Sequence, residues 1–522
     1  MGKSFNVTGT CIPEEDYMVD ITAKLAAIKE MINRREYFTI NRGRQFGKTT
    51  TLTQLERFLA DDYIVISISF ETFGNATFQT EEKFCQAFLR KIKNALKFAN
   101  VAADYRDAWH DLSVIDFDRL SDHITEMCED KKIVLMIDEV DKASNHYVFL
   151  DFLSKLRSKF LARKNKRDFT FHSVILAGVY DIRNIKLKMK QEGLHKSVAG
   201  ETATYNSPWN IASQFKVDLS FSVDEIATML LAYERDKKTG MQEVAIAKEI
   251  HHYTNGYPVL TSSICKVIDE HLKDWTTGGV RRAVKLILKE EIPLFDSLIK
   301  NLDANKELAD LLYNIIIMGR KWIFNIHDEA TNLGFRYGYF VEQNGKLVVS
   351  NKIFEACLLN YLTTKKAREV LSNLNYTTFD ETGIIVNNMI NLDTCMIKFS
   401  EHMQKNYNTK DERFIEREGR LLFLTYLAPI LNGRGFSYIE AQTLDGKRTD
   451  VIVNYSGSQF IIELKIWDGE AKHEKAKEQL LGYMEKFQVD QGYLLTFDFR
   501  ETKNVRNEWM TYKGKAIFDV IV

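Results

Sequence analysis

Short apolar runs recur through the first part of the chain, separated by stretches whose apolar residues fall at helical spacing. Tyr37-Phe38-Thr39-Ile40 is β-rich, and the segment after it, Thr50 to Leu59, carries Leu52, Leu55, Phe58 and Leu59 at intervals that put them on one helix face. Tyr63 to Phe70, Ile133 to Ile137, Ser173 to Val179 and Phe215 to Phe221 read as further strands. The run Ile133-Val134-Leu135-Met136-Ile137 is apolar at every position, the pattern of a strand covered on both faces. Alternating β and α segments predict a parallel sheet with helices on both sides, whose ligands bind outside the carboxyl ends of the strands. From about Val223 to Leu362 the pattern turns mainly helical. Near its end, Gly338 to Val341 and Gly345 to Val349 predict a small hairpin, followed by a helix over Ile353 to Leu362. In the last third, two apolar runs flank Ser456-Gly457-Ser458, a helix is expected over Ala476 to Phe487, and Gly492 to Phe497 reads as a buried strand. Four segments result, 1–222, 223–365, 366–394 and 395–522, the third a linker.

The first chemical signal sits between the first strand and its helix. RGRQFGKTT, Arg42 to Thr50, ends in Gly-Lys-Thr. Strand, tight turn and helix are the setting in which backbone N–H groups at a helix N-terminus wrap a phosphate. Gly47 would let the backbone approach closely, Lys48 would reach the β- and γ-phosphates, and the Thr49 hydroxyl would hold Mg²⁺. The usual pattern has a glycine where Arg42 stands; Gly43, one place later, is expected to relieve the turn. A strand–helix turn that merely spells GKT is the alternative. The second signal is Asp138-Glu139 at the end of the apolar run. An Asp there can hold the Mg²⁺ shell and the following Glu can orient the attacking water. Solvated acids ending a buried strand are the plain alternative.

NRGRQFGKTT, IVLMIDEVD and VILAGVYDIR together resemble the AAA-like ATPases of bacteria over roughly residues 1–360. In many relatives the loop reads like RPRRFGKT, so Arg42 fits the family's habit. The resemblance implies an ATP site with Mg²⁺, built from Arg42, Gly43, Arg44, Gln45, Phe46, Gly47, Lys48, Thr49, Thr50 and Asp138, with Glu139 as catalytic base. Gly256-Tyr257-Pro258 looks like the Gly-x-Pro element whose proline, here Pro258, touches the base; a Gly-Pro turn ending a helix gives the same letters. One departure stands out. The strand Val174 to Gly178 would ordinarily present a polar sensor residue, yet Ala177 and Gly178 are there, leaving slow hydrolysis or a substitute such as Arg183. The hairpin before Leu362 resembles a winged-helix region trailing the lid, which either contacts DNA or packs and signals.

At 522 residues the chain exceeds one core, so two to four domains are expected. No run of about 18 apolar residues suggests a membrane span, and MGKSFNVTGT has no signal-peptide core. The six cysteines are scattered without a C-x-x-C, which argues against a zinc site or a disulfide framework and for a cytoplasmic setting. A net charge of −1 decides nothing about nucleic acid, since a local patch suffices. Lys155 to Arg167, KLRSKFLARKNKR, is such a patch, or simply a solvated helix face.

The last third carries the other chemistry. Asp450 opens one strand of KRTDVIVNYSGSQFIIELKIW and the next strand holds Glu463-Leu464-Lys465. Residues i and i+2 share a strand face, so Glu463 and Lys465 point together while Leu464 enters the opposite core. Two carboxylates offer hard oxygen ligands for Mg²⁺, and the lysine would stabilise the attacking water. Upstream, on a helix, Glu418 falls with Phe414, Leu421 and Leu422, and an acid on a buried side needs a reason. Downstream, Gln479 and Tyr483 lie one turn apart. The order and the segments EREGRLLFL, RTDVIV, IIELKIW and GYLLTFDF closely resemble the PD-(D/E)XK nuclease domain that follows AAA-like ATPase domains in bacterial proteins. That resemblance implies Asp450, Glu463 and Lys465 as the catalytic set with Glu418 and Gln479 in support, Asp450 and Glu463 binding Mg²⁺ or Mn²⁺. The expected protein is a multidomain α/β chain: a P-loop NTPase parallel sheet, a helical lid with a winged-helix region, and a C-terminal restriction-endonuclease-like α/β domain. ATP would control cleavage of nucleic acid, with DNA favoured and the choice between DNA and RNA left open by the sequence, and the pairing of modules suggests defence or mobile-element processing. Two rivals remain, a signalling or scaffold ATPase whose C-terminal domain only docks a partner, and a homo-oligomeric ring with the nuclease as effector.

Overall fold

The computed structural model describes residues 2–144, 146–179, 209–317, 320–371, 382–406, 416–431, 435–438, 451–455, 458–498, 500 and 505–522. The chain forms two compact units. The first is Met1–Asp236 with Tyr257–Ser262 and Arg336–Gly338; the second holds the rest.

Strands β1 (Tyr37–Asn41), β2 (Ile64–Ser69), β3 (Ile133–Asp138) and β4 (Ser173–Gly178) of the first unit form one parallel sheet in the order β1-β4-β3-β2. Every residue of β3 and β4 is buried. The reason is a core on each side. Val134 and Met136 face the layer made by helices α1 (Thr22–Asn33) and α2 (Lys48–Leu59), with Ile28, Leu52 and Leu55. Ile133, Leu135 and Ile137 face the opposite layer, where α3 (Glu81–Ala95), α4 (Ala103–Ala108), α5 (Phe117–Cys128) and α6 (Tyr147–Lys164) gather, with Phe84, Phe88 and Phe152 among the packed aromatic rings. A strand between two apolar layers has no polar side to show, which is why its sequence does not alternate. The registers Asn41↔Gly178 and Ser69↔Asp138 bring the carboxyl ends of the strands to one edge.

Two expectations are corrected here. Phe215 to Phe221 is not a strand. Only Ser213 bridges to Phe38, with its N–H on the Tyr37 carbonyl, and the chain then runs on as unpaired backbone. Side chains hold it: Phe215 stacks on Phe38 at 5.7 Å, and the Val217 and Ser220 carbonyls accept from Arg42 and Lys24. Nor is the basic stretch Lys155 to Arg167 simply a solvated face. Lys159 is buried and pairs with Asp168 at 2.7 Å, Lys155 pairs with Asp118, and Arg163 donates to the carbonyls of His172 and Arg35. Three of the stretch's seven cations are thereby engaged within the fold, while Lys164, Lys166 and Arg167 stay exposed.

The second unit begins with helices that include Glu243–Thr254, Thr277–Ile287, Pro293–Asp303 and Lys306–Ile316. The expected hairpin is present as β6 (Phe340–Gln343) and β7 (Lys346–Val349), joined by Asn344-Gly345 with both residues at positive φ, as a tight hairpin turn requires. A short β5 (Trp322–Ile323) adds to β7. Helix Lys352–Leu371 follows, then the small pair β8 (Ile385–Val386) and β9 (Met389–Ile390) and helix Leu392–Asn406.

A six-stranded mixed sheet closes the chain, in the order β10-β11-β12-β13-β15-β14: β10 (Gly435–Tyr438), β11 (Val451–Tyr455), β12 (Ser458–Ile466), β13 (Gln491–Phe497), β14 (Arg506–Tyr512) and β15 (Lys515–Ile521). β11 and β12 are the expected antiparallel hairpin, with Tyr455 opposite Ser458. β12, β13 and β15 run parallel, and helix Glu470–Lys486 makes the crossover between the first two, burying Ala476, Leu480, Tyr483 and Met484 against Ile461, Leu494 and Ile517. On helix Glu416–Leu431, Gly419 meets the Phe497 ring so closely that a Cβ there would lie 2.4 Å from it.

Candidate functional site

The loop from Arg42 to Gly47 joins β1 to α2, and its conformation follows from two residues. Gln45 has φ 55° and Gly47, at the helix N-cap, has φ 76° and ψ 13°. Lys48 then turns back into the loop. Its ammonium donates to the carbonyls of Arg42 and Gly43, both at 3.0 Å, and the residue is buried. Burial pulls the Lys48 pKa down, while Asp141, Asp138 and Glu139 pull the other way. The Thr49 hydroxyl donates to Asp138 Oδ2 at 2.6 Å, and Asp138 Oδ1 accepts the N–H of Glu139 at 2.8 Å. Glu139 itself is left-handed, φ 53° and ψ 38°. A non-glycine residue in that region is held there by its surroundings. Burial and then the Asp138 charge raise the Glu139 pKa, against Lys48.

Gly43 is at a close approach, not in a turn that needs its flexibility. It has no positive φ, but a Cβ there would lie 2.8 Å from the Tyr337 carbonyl oxygen. The Arg42 guanidinium lies on the Asn41 and Val217 carbonyls. Tyr257 donates its hydroxyl to the Arg44 carbonyl at 2.6 Å and meets the Phe46 ring edge-on at 4.8 Å. Pro258 lies behind the loop, its Cβ and Cγ 3.7 Å from where a Gly47 Cβ would be. It lines a mainly apolar pocket of about 130 Å³ with Phe46, Thr50, Phe221 and Met229. That pocket is also walled by Asn6, Val7, Cys11, Tyr17, Met18 and Ile21, from stretches without any motif. Their sole sequence signal is the pair Phe5 and Tyr17, which meet Tyr233 at ring distances of 5.1 Å.

In the closing sheet Glu463 is fully buried and the Lys465 ammonium lies 2.7 Å from its Oε1. The i, i+2 spacing on β12 accounts for this meeting, and Leu464 between them is buried. Gln479 is half-buried on helix Glu470–Lys486, which packs on β12 and β13, and helix Glu416–Leu431, which carries Glu418, packs on β10 and β12. Asp450 and Arg183 lie outside the described residues, as does the side chain of Glu418. A further cluster was not foreseen. His473 Nε2 is 2.9 Å from Asp519 Oδ2, Arg506 donates to the same carboxylate, and Thr496, the register partner of Lys465, is 3.4 Å from His473 Nδ1. These residues come from a helix and three strands, and no spacing along the chain connects them.

A strand–loop–helix with a buried lysine turned into the loop, a threonine on the next strand's aspartate and a glutamate beside it have the arrangement of a P-loop. Residues 16–277 match the family model described as the AAA-like domain, half of the chain, and the protein belongs to that family. No curated protein matches the chain. Among solved structures, a Walker-type ATPase of Pyrococcus abyssi aligns at 14% identity over 68% of this chain and 99% of its own, with a TM-score of 0.45. The ORC2 protein of Aeropyrum pernix, solved as ADPNP–ADP complexes, aligns at 10% identity over 68% and 97%, with a TM-score of 0.33. Superpositions this loose carry no functional information.

Proposed function

We propose that this AAA-like ATPase couples ATP turnover at the Arg42–Thr50 loop to metal-dependent cleavage of nucleic acid at the β11–β12 hairpin. The observation that carries the nuclease part is Glu463, a carboxylate with no exposed surface on a strand of the closing sheet, with Lys465 against it. A buried carboxylate is costly unless paired or used, and this one sits on the hairpin that Asp450 opens in sequence.

At the first site, the Thr49 hydroxyl and Asp138 carboxylate are hard oxygen donors already 2.6 Å apart, a pair that fits Mg²⁺. Bound there, the ion would neutralise charge on the phosphates. Lys48 would leave the Arg42 and Gly43 carbonyls for phosphate oxygens, Glu139 would orient the water, and the apolar pocket beside Pro258 would take the base. At the second, Glu463 with Asp450 would hold Mg²⁺ or Mn²⁺, Lys465 would orient the attacking water, and Glu418 and Gln479 would support the arrangement. The substrate we favour is DNA.

Cleavage of single- and double-stranded DNA and RNA by the purified chain, with Mg²⁺ or Mn²⁺ and with or without ATP, tests this beside Asp450→Ala and Lys465→Ala. Both variants should lose cutting and keep ATPase activity. Persistent cutting in both removes the hairpin from the mechanism. No cutting by the wild type under any condition leaves two readings, a missing trigger or a closing sheet that only docks a partner.

A further inference from the structure

β4 ends between the two walls of the nucleotide site and brings no polar side chain to it. Its last residues are Ala177 and Gly178. What it does bring is one peptide group. The Gly178 carbonyl accepts the N–H of Arg42, the first residue of the phosphate loop, at 3.2 Å. The N–H of the same peptide, carried by Val179, donates to Asp141 Oδ2 at 2.6 Å. Asp141 lies two residues beyond Glu139, in the short 3₁₀ turn Val140–Lys142 that follows the left-handed Glu139. That turn is fixed by Lys142 N–H on the Glu139 carbonyl, and the Ser144 hydroxyl donates to the Asp141 carbonyl.

Glycine at 178 is a requirement of this contact. A Cβ there would stand 2.9 and 3.0 Å from the two Asp141 carboxylate oxygens and 3.0 Å from Val140 Cγ2. Small residues at the end of β4 therefore make room for a carboxylate supplied from the neighbouring strand's loop. Among the charges that bear on Lys48, Asp141 weighs most.

We infer that Asp141 is a positioning residue of the nucleotide site, acting through the Gly178–Val179 peptide in the place where a polar side chain of β4 would act. It ties the turn that carries Glu139 to the residue that opens the phosphate loop. A charge-assisted hydrogen bond suits this role, being roughly twice as strong as a neutral one. The inference rests on the ATPase reading of the same site.

The test is steady-state ATP turnover by the full chain, with ADP affinity measured alongside by titration of a fluorescent ADP analogue. Asp141→Ala should lower kcat by about tenfold or more, the loss of about 1.4 kcal/mol in the transition state, with ADP affinity nearly unchanged. Asp141→Asn keeps an acceptor for the Val179 N–H and should recover part of that loss. Gly178→Ala should lower kcat by displacing the carboxylate, and adding it to Asp141→Ala should cost little more, since both changes break one contact. Wild-type kcat in Asp141→Ala, or additive losses in the double variant, overturns the inference. Parallel loss of turnover and ADP binding also overturns it, because a merely structural role would move both. If Asp141→Ala does not fold, Asp141→Asn decides: lower kcat with intact ADP binding supports the inference and wild-type kcat overturns it. A wild-type chain that turns over no ATP ends the ATPase reading and this inference together, whereas normal wild-type turnover with unaffected Asp141 variants ends only the inference.

Discussion

The roles proposed for Lys48 and Glu139 at the nucleotide site are ones that single substitutions can separate. Lys48→Ala removes the ammonium now held on the Arg42 and Gly43 carbonyls, and ATP binding measured by titration should disappear. Glu139→Gln keeps the shape of the left-handed residue and removes the base, so binding should persist while kcat falls by about 10²- to 10⁴-fold. Turnover at the wild-type rate would mean another group orients the water. His172 makes a pH prediction at the same scale. Burial holds its pKa down to about 4, with Arg35, Arg163 and Lys132 adding repulsion. The folded state therefore resists a proton that the unfolded chain accepts below about 6.5. The stability due to neutral His172 is present above that value and is lost as pH falls from 6.5 towards 4. Thermal unfolding of wild type should fall over this window, and His172→Gln should fall less; identical curves would remove His172 as the cause.

The elements show how far short-range pattern reaches. The β1–loop–α2 unit, β3 with its terminal acids, the Asn344-Gly345 hairpin and the β11–β12 hairpin were all legible, because each is specified by neighbours a few residues apart. The stretch Phe215 to Phe221 was misread for the same reason. Its apolar residues pack on Phe38 as a strand's would, but pairing with β1 is decided by the path of the backbone, which stops at Ser213. Gly419 carries the prediction for the closing sheet. Its missing side chain lets helix Glu416–Leu431 lie on Phe497, so Gly419→Ala should destabilise this sheet by about 1–3 kcal/mol through overpacking. Limited proteolysis should report the loss there while ATPase activity stays. Unchanged protection would show that the Phe497 ring can move aside.

For the whole molecule, the pairing of the two sites is the claim at stake. If the closing sheet binds nucleic acid through phosphates, affinity should fall with salt, log K dropping about 0.9 per contact against log salt for duplex DNA. A flat response favours a docked protein partner. If the ATPase governs cleavage, Glu139→Gln with ATP should hold the nuclease in one state, fully on or fully off, while wild type cycles. Cleavage indifferent to ATP and to Glu139→Gln would leave two independent activities in one chain. Among the described residues no helix is long and apolar enough to cross a membrane.

By itself the sequence determined the α/β alternation, the loop from Arg42 to Gly47 between strand and helix, the acids ending β3 and the shared strand face of Glu463 and Lys465. All of these are set by spacing within one element or across one turn, where periodicity translates directly into direction. Tertiary structure alone decided that Gly43 faces the Tyr337 carbonyl, that Tyr257 holds Arg44, that the segment around Tyr17 walls the pocket, and that Asp141 reaches the Gly178–Val179 peptide. It also decided that His473, Thr496, Arg506 and Asp519 meet. Such contacts join residues that chain distance does not relate, and only the packing of whole elements brings their atoms within hydrogen-bond reach.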